Sequence, residues 1–342
     1  MKDLSIIIPF VGEYPQVLFT IQSVAQSLLD TSIDFEIIAV DNYCDQAKQQ
    51  LDNIIQGQIK TYQRKALEPE DIIEIHKAVP SLYWNKSGEA IKACAKGNSW
   101  LKYINYDYRL SHWQCKRVGV EESTGKILLF LDAHVVPSAR AIRDMFSIFS
   151  NSKFDYYKRG TMHLPLTYKI LEWRKLIYKF SLENKYFYGY KFTGFREEER
   201  PYEVPCMSTC GMMISRYIYD KIGGWPDTLG IYGGGENFMN YTLSVCGYKK
   251  FIYPDGTLFH HGEKRDYHYE YSDMVYNRAL AHYLFGGMTL MKNYLSVTRG
   301  RENVLEDIGH FAVKNGYLQR SKIVEIQKTD IEEWANKVMA QQ

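Results

Sequence analysis

Asp132 and His134 stand two residues apart at the end of the run GKILLFLDAHVV, residues 125–136. A carboxylate and an imidazole at that spacing could share one divalent cation. Oxygen plus nitrogen donors suit a borderline-hard ion such as Mn²⁺, and Mg²⁺ or Zn²⁺ also fit. Two side chains do not fix a metal, so a third ligand must come from another segment. The stretch PDGTLFHHGEKR offers His260 and His261 just past a second apolar run. A further stretch, GIYGGGEN, places Gly233, Gly234 and Gly235 before Glu236 and Asn237. Consecutive glycines let a backbone approach a ligand closely. The helix they open would give Glu236 and Asn237 free N–H groups and the positive end of a helix dipole. Each feature also has a plain reading: a strand end followed by polar residues, a packing histidine, a helix-capping loop.

These residues need elements to hold them. LSIIIPF is short, continuous and β-branched, as a strand buried on both faces would be. Val17, Ile21, Val24, Ala25 and Leu28 then recur at helical spacing, and DFEIIAVD reads as a second buried strand ending on Asp41. Residues 45–56 fit a helix, DIIEIH (71–76) a weaker strand, and 87–96 and 111–123 two further helices. KILLFLD is the next buried strand. This alternation predicts an α/β fold with a mostly parallel central sheet flanked by helices. Ligands in such sheets bind beyond the carboxyl ends of the strands, where Asp41 and Asp132 both sit. Further on, TCGMMIS (209–215) and YKKFIYP read as strands, NFMNYTLSVCG as a helix closed by Gly247, and 270–285 as another helix. The tail after 290 is amphipathic.

Bulk properties narrow the classes. The chain has 342 residues, 45% of them hydrophobic, and a formal net charge of +2. A sizeable core is available, and no global charge demands nucleic acid or an acidic membrane. Six cysteines include no CxxC pair and read as reduced and mostly buried. No run approaches the ~20 apolar residues of a membrane span, and the N-terminal run is too short for a signal peptide, so the expected location is cytoplasmic. Residues 153–196 interleave Lys and Arg with Tyr, Phe and Trp. Such a surface could stack single-stranded or flipped-base nucleic acid, or grip an anionic glycan. It could also be a tyrosine-rich packed helix with solvated lysines.

Taken together, SIIIPF, EIIAVDN, KRVGVEESTGKILLFLDAH, TCGMMISRYIYDKIGGWPDTLGIYGGGEN and FIYPDGTLFHH occur in an order that resembles the GT-A glycosyltransferases of the family 2 superfamily. The DxH form, the GGEN-type loop and the later histidine are most similar to the polypeptide N-acetylgalactosaminyltransferase branch. The tail is too short for that branch's lectin domain. The resemblance implies a GT-A catalytic domain over 1–290, with a nucleotide-sugar half (1–140) and an acceptor half (141–290) around one continuous sheet, and a helical extension over 291–342. It implies that Asp132, His134 and His260 hold a divalent metal, with Mn²⁺ preferred and Mg²⁺ second. His260 is favoured over His261 because it lies six residues past Pro254. Asp41 would meet the base or ribose of a nucleotide-sugar, a UDP-sugar above all, and Pro9 and Arg117 would line the donor side. Lys264 or Arg265 falls one or two residues from the family's diphosphate-contacting arginine. The loop from Gly233 to Asn237 would cradle the sugar. Glu236 would serve there as the base of an inverting enzyme or as a sugar-holding group in a retaining one. The expected acceptor is a hydroxyl on a glycan or glycolipid, or less directly on a modified base in viral DNA, gripped by residues 153–196. The rivals are a non-catalytic nucleotide-sugar-binding protein and a sugar nucleotidyltransferase. The latter wants a Gly-rich, basic loop after the first strand, whereas PFVGEYPQ has one glycine and no basic residue.

Overall fold

The computed structural model describes residues 1–50, 84–168, 174–261 and 269–341. The strand expected over 71–76 and the basic pair Lys264 and Arg265 lie outside the described residues. Thirteen described strands follow in order: β1 (Leu4–Phe10), β2 (Phe35–Asp41), β3 (Leu101–Asn105), β4 (Ile127–Phe130), β5 (Val135–Pro137), β6 (Gly160–His163), β7 (Leu166–Thr167), β8 (Leu176–Glu183), β9 (Phe187–Gly194), β10 (Tyr202–Val204), β11 (Met212–Ser215), β12 (Lys249–Ile252) and β13 (Leu258–His260). The helices that position the site are α1 (Gln16–Leu28), α2 (Trp84–Gly97), α3 (His112–Glu121), α4 (Gly235–Val245), α5 (Tyr271–Ser296), α6 (Glu302–Ile326) and α7 (Ile331–Met339).

The main sheet has eight strands in the order β10-β12-β6-β11-β4-β1-β2-β3. The strands read from apolar runs form its parallel centre: β1 lies between β2 and β4, with Ile6 opposite Ile37 and Leu129. Beyond β4 the sheet turns mixed, because β11 runs antiparallel to both β4 and β6. Alternate residues feed two cores, as strand geometry requires. Ile7, Phe130 and Met212 face the core shared with α3, α4 and α5. Ile6, Ile8, Leu129 and Met213 face the core under α1. The apolar stripe of α1, Val17 to Leu28, is buried there as its spacing demands.

The main sheet is continuous across both stretches of the chain, as the resemblance implied, with β1–β4 from residues before 140 and β6, β10, β11 and β12 from residues after it. A second, five-stranded sheet runs β5-β13-β7-β8-β9. Its long arm is the β8–β9 hairpin, paired from Leu176 opposite Gly194 to Glu183 opposite Phe187. The tyrosine-rich segment is therefore strand rather than helix over much of its length. Alternation explains it: Tyr178 and Phe180 are buried while Lys179 between them is exposed. At the C-terminal end, α5 runs across residue 290, with non-helical backbone at Gly287, and α6 and α7 send Ile308, Ala312, Ile323, Ile331 and Ala335 into the same core as α5. No described helix is long and apolar enough to cross a membrane.

Candidate metal centre and its cavity

The turn between β4 and β5 carries Asp132 and His134, and it is pinned from below. The Thr20 hydroxyl, on α1, lies 2.9 Å from the Ala133 carbonyl and 2.8 Å from that of Val135, and accepts from the Val135 N–H at 3.1 Å. Strand pairing brings in the third residue. β13 runs antiparallel to β5 with His260 opposite Val135, and the His261 N–H donates to the His134 carbonyl at 3.0 Å. Asp132, His134 and His260 consequently offer one ligand atom each within 4.8 Å of one another. His261, the alternative in the sequence, is exposed and outside this cluster.

The surroundings fit a cation. His134 Nδ1 lies 2.6 Å from Glu13 Oε1, which fixes the ring and leaves Nε2 as its remaining donor atom. A carboxylate behind a histidine is the usual support of a metal-binding imidazole. Asp132 Oδ1 and His260 Nδ1 are buried with no hydrogen-bond partner among the described residues, although buried polar atoms are normally satisfied. One carboxylate and two imidazoles suit Mn²⁺, Mg²⁺ or Zn²⁺. Burial pushes the Asp132 pKa up, but Lys116, the His260 hydrogen bond and His112 outweigh it and hold the carboxyl well below its ordinary range. Lys116 is fully buried, 3.6 Å from Asp132 Oδ1 and over the rings of Trp113 and Trp225.

The cluster opens on a cavity of about 510 Å³. One side is formed by Pro9, Phe10, Val11 and Asn42 at the carboxyl ends of β1 and β2. The opposite side is aromatic. Tyr178 and Tyr190 stack at 4.5 Å, and Tyr168 and Phe192 meet edge to face at 5.5 Å, partly exposed at the mouth. Between these sides stands Glu236, at the start of α4. Its carboxylate accepts from the Tyr190 hydroxyl, from Ser208 Oγ at 3.3 Å and from the Thr209 N–H at 3.2 Å.

Several residues singled out in the sequence stand elsewhere. Asp41 does not line the cavity; its neighbour Asn42 does. Asp41 is 4% exposed, its oxygens accept from Tyr103 Oη at 2.9 Å and the Tyr43 N–H at 3.1 Å, and burial raises its pKa to about 6. Arg117 is turned away from the donor side, 2.8 Å from Glu121 and 3.8 Å from Asp227. The helical register explains this, since the preceding residue, Lys116, takes the inward position. Asn237 is buried and donates to the Tyr188 carbonyl at 2.6 Å, outside the main cavity.

The three glycines meet packing rather than open space. A Cβ at Gly234 would come within 2.3 Å of the Asn277 carbonyl oxygen, and one at Gly235 within 2.4 Å of the Trp113 ring. Gly233 and Gly234 also hold φ of 78° and 73°, which favour glycine.

Two contributors escaped the motif reading: Glu13 and Lys116. Glu13 had a usable signal, a carboxylate just past the first strand, whereas Lys116 depends on helix register. Tyr178 and Tyr190 belong to the aromatic stretch 153–196 singled out in the sequence, and hairpin pairing is what sets them beside Glu236.

No family model and no curated protein matches the sequence. Among solved structures the chain is similar to GalNAc-T7, solved with UDP, GalNAc and Mn²⁺, at 14% identity and a TM-score of 0.56 over 93% of this chain. It spans 57% of that protein's chain. It is also similar to S. aureus TarS 1–349, at 10% identity and a TM-score of 0.45, over 92% of this chain and 74% of that one. The UDP complex of TarS 1–349 gives 11% identity and a TM-score of 0.46, over the same shares of the two chains. At such identities likeness speaks for architecture. With GalNAc-T7 carrying the comparison, the chain has the GT-A fold, a helix-flanked central sheet with a candidate metal-coordinating cluster beyond the ends of its inner strands.

Proposed function

We propose that this protein is a metal-dependent glycosyltransferase that moves a sugar from a UDP-sugar to an acceptor hydroxyl on a glycan or glycolipid. The observation that carries the reading is the closure of Asp132, His134 and His260 into one cluster, backed by Glu13, at the wall of a cavity that also holds Glu236. A divalent cation bound there would neutralise the charge that builds on a nucleoside diphosphate as it leaves. Mn²⁺ is the ion we assign.

The remaining work falls to side chains. Glu13 orients the His134 ring. Lys116 keeps Asp132 ionised and adds a fixed positive charge behind it. Pro9, Phe10, Val11 and Asn42 shape the end of the cavity for the base, with Asp41 supporting that end from behind through Tyr103 and Tyr43. Glu236, held by three donors, accepts a hydrogen bond from a substrate hydroxyl. Asn237 ties β9 to α4 beside it. Tyr168 and Phe192 give an aromatic platform at the mouth, suited to the apolar face of a sugar ring.

A thermal-shift panel of nucleotide-sugars, each with and without Mn²⁺, tests the donor assignment. We expect a metal-dependent rise in melting temperature with a UDP-sugar that vanishes in Asp132→Ala. A panel in which no nucleotide shifts the protein with any metal refutes it.

A further inference from the structure

A second cavity, of about 430 Å³, adjoins the first; Glu183, Phe187, Tyr190, Asn237, Arg278 and Arg299 are among its lining. Tyr190 belongs to both cavities, and Asn237 is the residue after Glu236. The second cavity thus backs onto the wall that presents Glu236.

Its chemistry is that of an anion site. The guanidinium of Arg278, on α5, lies 4.6 Å from the centre of the Phe187 ring. Stacking of this kind holds the guanidinium in place and leaves its N–H edge for a partner. Arg278 Nε is buried and has no hydrogen-bond partner among the described residues, an unusual condition for a strong donor. Arg299, in the loop after α5, adds a second, exposed guanidinium. Among the described residues neither arginine has a carboxylate within ion-pair distance. The acid of the cavity, Glu183, is 3.5 Å from Lys191. The cavity therefore carries net positive charge, with planar donors that match the oxygens of a phosphate group.

We infer that this cavity is a subsite for a phosphate group of the acceptor, so that the acceptor is a phosphate-bearing glycan bound across Tyr190. Two guanidiniums in one concavity fit a single phosphate. A nucleic-acid backbone would call for cations strung along a groove. The identity of the acceptor rests on the glycosyl-transfer reading above, whereas the anion site itself does not.

The test uses the full chain and two probes, inorganic phosphate and a monosaccharide phosphate, titrated calorimetrically in EDTA so that no metal contributes. Both should bind, with the same affinity in Asp132→Ala, and at least tenfold more weakly in Arg299→Met and in Arg278→Met. Arg299 is exposed, so its variant keeps the test valid if Arg278→Met fails to fold. Binding that is absent, or unchanged by the arginine substitutions, or lost in Asp132→Ala overturns the assignment. A short single-stranded oligonucleotide is the third arm. Tight, steeply salt-dependent oligonucleotide binding that monosaccharide phosphate does not displace would replace a glycan acceptor with a nucleic-acid one. Mn²⁺-dependent UDP binding, measured on the same variants, should be unaffected by either arginine. Its loss from the unsubstituted protein would sink the donor reading and leave the anion site standing.

Discussion

His134 shows how much a single imidazole depends on the group behind it. With Nδ1 held 2.6 Å from Glu13, the ring has one orientation and one remaining donor atom. Removing such a support commonly lowers metal affinity about 10- to 100-fold. Glu13→Gln should therefore weaken Mn²⁺ binding by that factor, measured by metal titration, with the melting temperature of the metal-free protein little changed. Equal Mn²⁺ affinity in the variant would remove Glu13 from the site. Asp41 allows a different test. Burial raises its folded pKa to about 6, above the value it has when unfolded. The folded state then binds this proton more tightly, so the carboxyl costs stability as pH rises from about 4 through about 6, and the full cost stands above that window. At roughly 1.4 kcal/mol per pH unit the cost is on the order of 2–3 kcal/mol. Asp41→Asn should be the more stable protein at pH 8, by up to that amount in urea denaturation, and should show no gain at pH 4. A variant whose gain over the parent is no larger at pH 8 than at pH 4 contradicts this account.

Elements decide which residue of a motif reaches the site. The buried strands β1, β2 and β4 were legible because continuous β-branched runs have few other uses, and Asp132 and His134 came with them. His260 over His261 was what the family resemblance implied, and the physical cause is the β13–β5 register. The β8–β9 hairpin was not legible as such, although its signal was present: alternating apolar and polar residues flank the 184–186 turn, where Asn184 and Lys185 have positive φ. Aromatic and basic composition drew attention away from that period. Arg117 and Lys116 differ by one residue, which is a rotation of about 100° on a helix, and composition cannot choose between them. The glycine loop was expected to cradle a ligand, and packing gives two of its glycines a reason of their own. Close packing against Asn277 and Trp113 accounts for Gly234 and Gly235. Gly235→Ala should therefore destabilise the fold by about 1–3 kcal/mol, the usual cost of forcing an atom into a filled site, and should disturb Glu236 at the next position. Chemical denaturation measures the first effect; a variant as stable as the parent would return the loop to a ligand-binding explanation.

At the scale of the whole molecule, two sheets converge on one cavity: the main sheet supplies Asp132 and the β1–β2 side, and the second supplies His260 and the aromatic wall. Sequence reading located Asp132, His260 and the aromatic stretch but not the second sheet that joins the last two, because strand pairing between distant short segments leaves little local trace. The expected division near residue 290 meets a continuous core, since Ile308, Ala312, Ile323 and Ile331 pack with Leu280, Leu284 and Phe285. Removing residues 291–342 should expose that apolar face and yield an insoluble or far less stable protein, judged by soluble yield and melting temperature. A truncated chain with the parent's melting temperature would make the last two helices an independent appendage. The central claim is that Asp132, His134 and His260 together hold a divalent ion that a nucleoside diphosphate then engages. Electron paramagnetic resonance of Mn²⁺ titrated into the protein reads this directly, because bound Mn²⁺ loses the sharp signal of the free ion. The account predicts one Mn²⁺ per chain, bound more tightly when UDP is present, and none in Asp132→Ala or His260→Ala. Equal Mn²⁺ binding by the parent and Asp132→Ala, or none by the parent with UDP present, would contradict it.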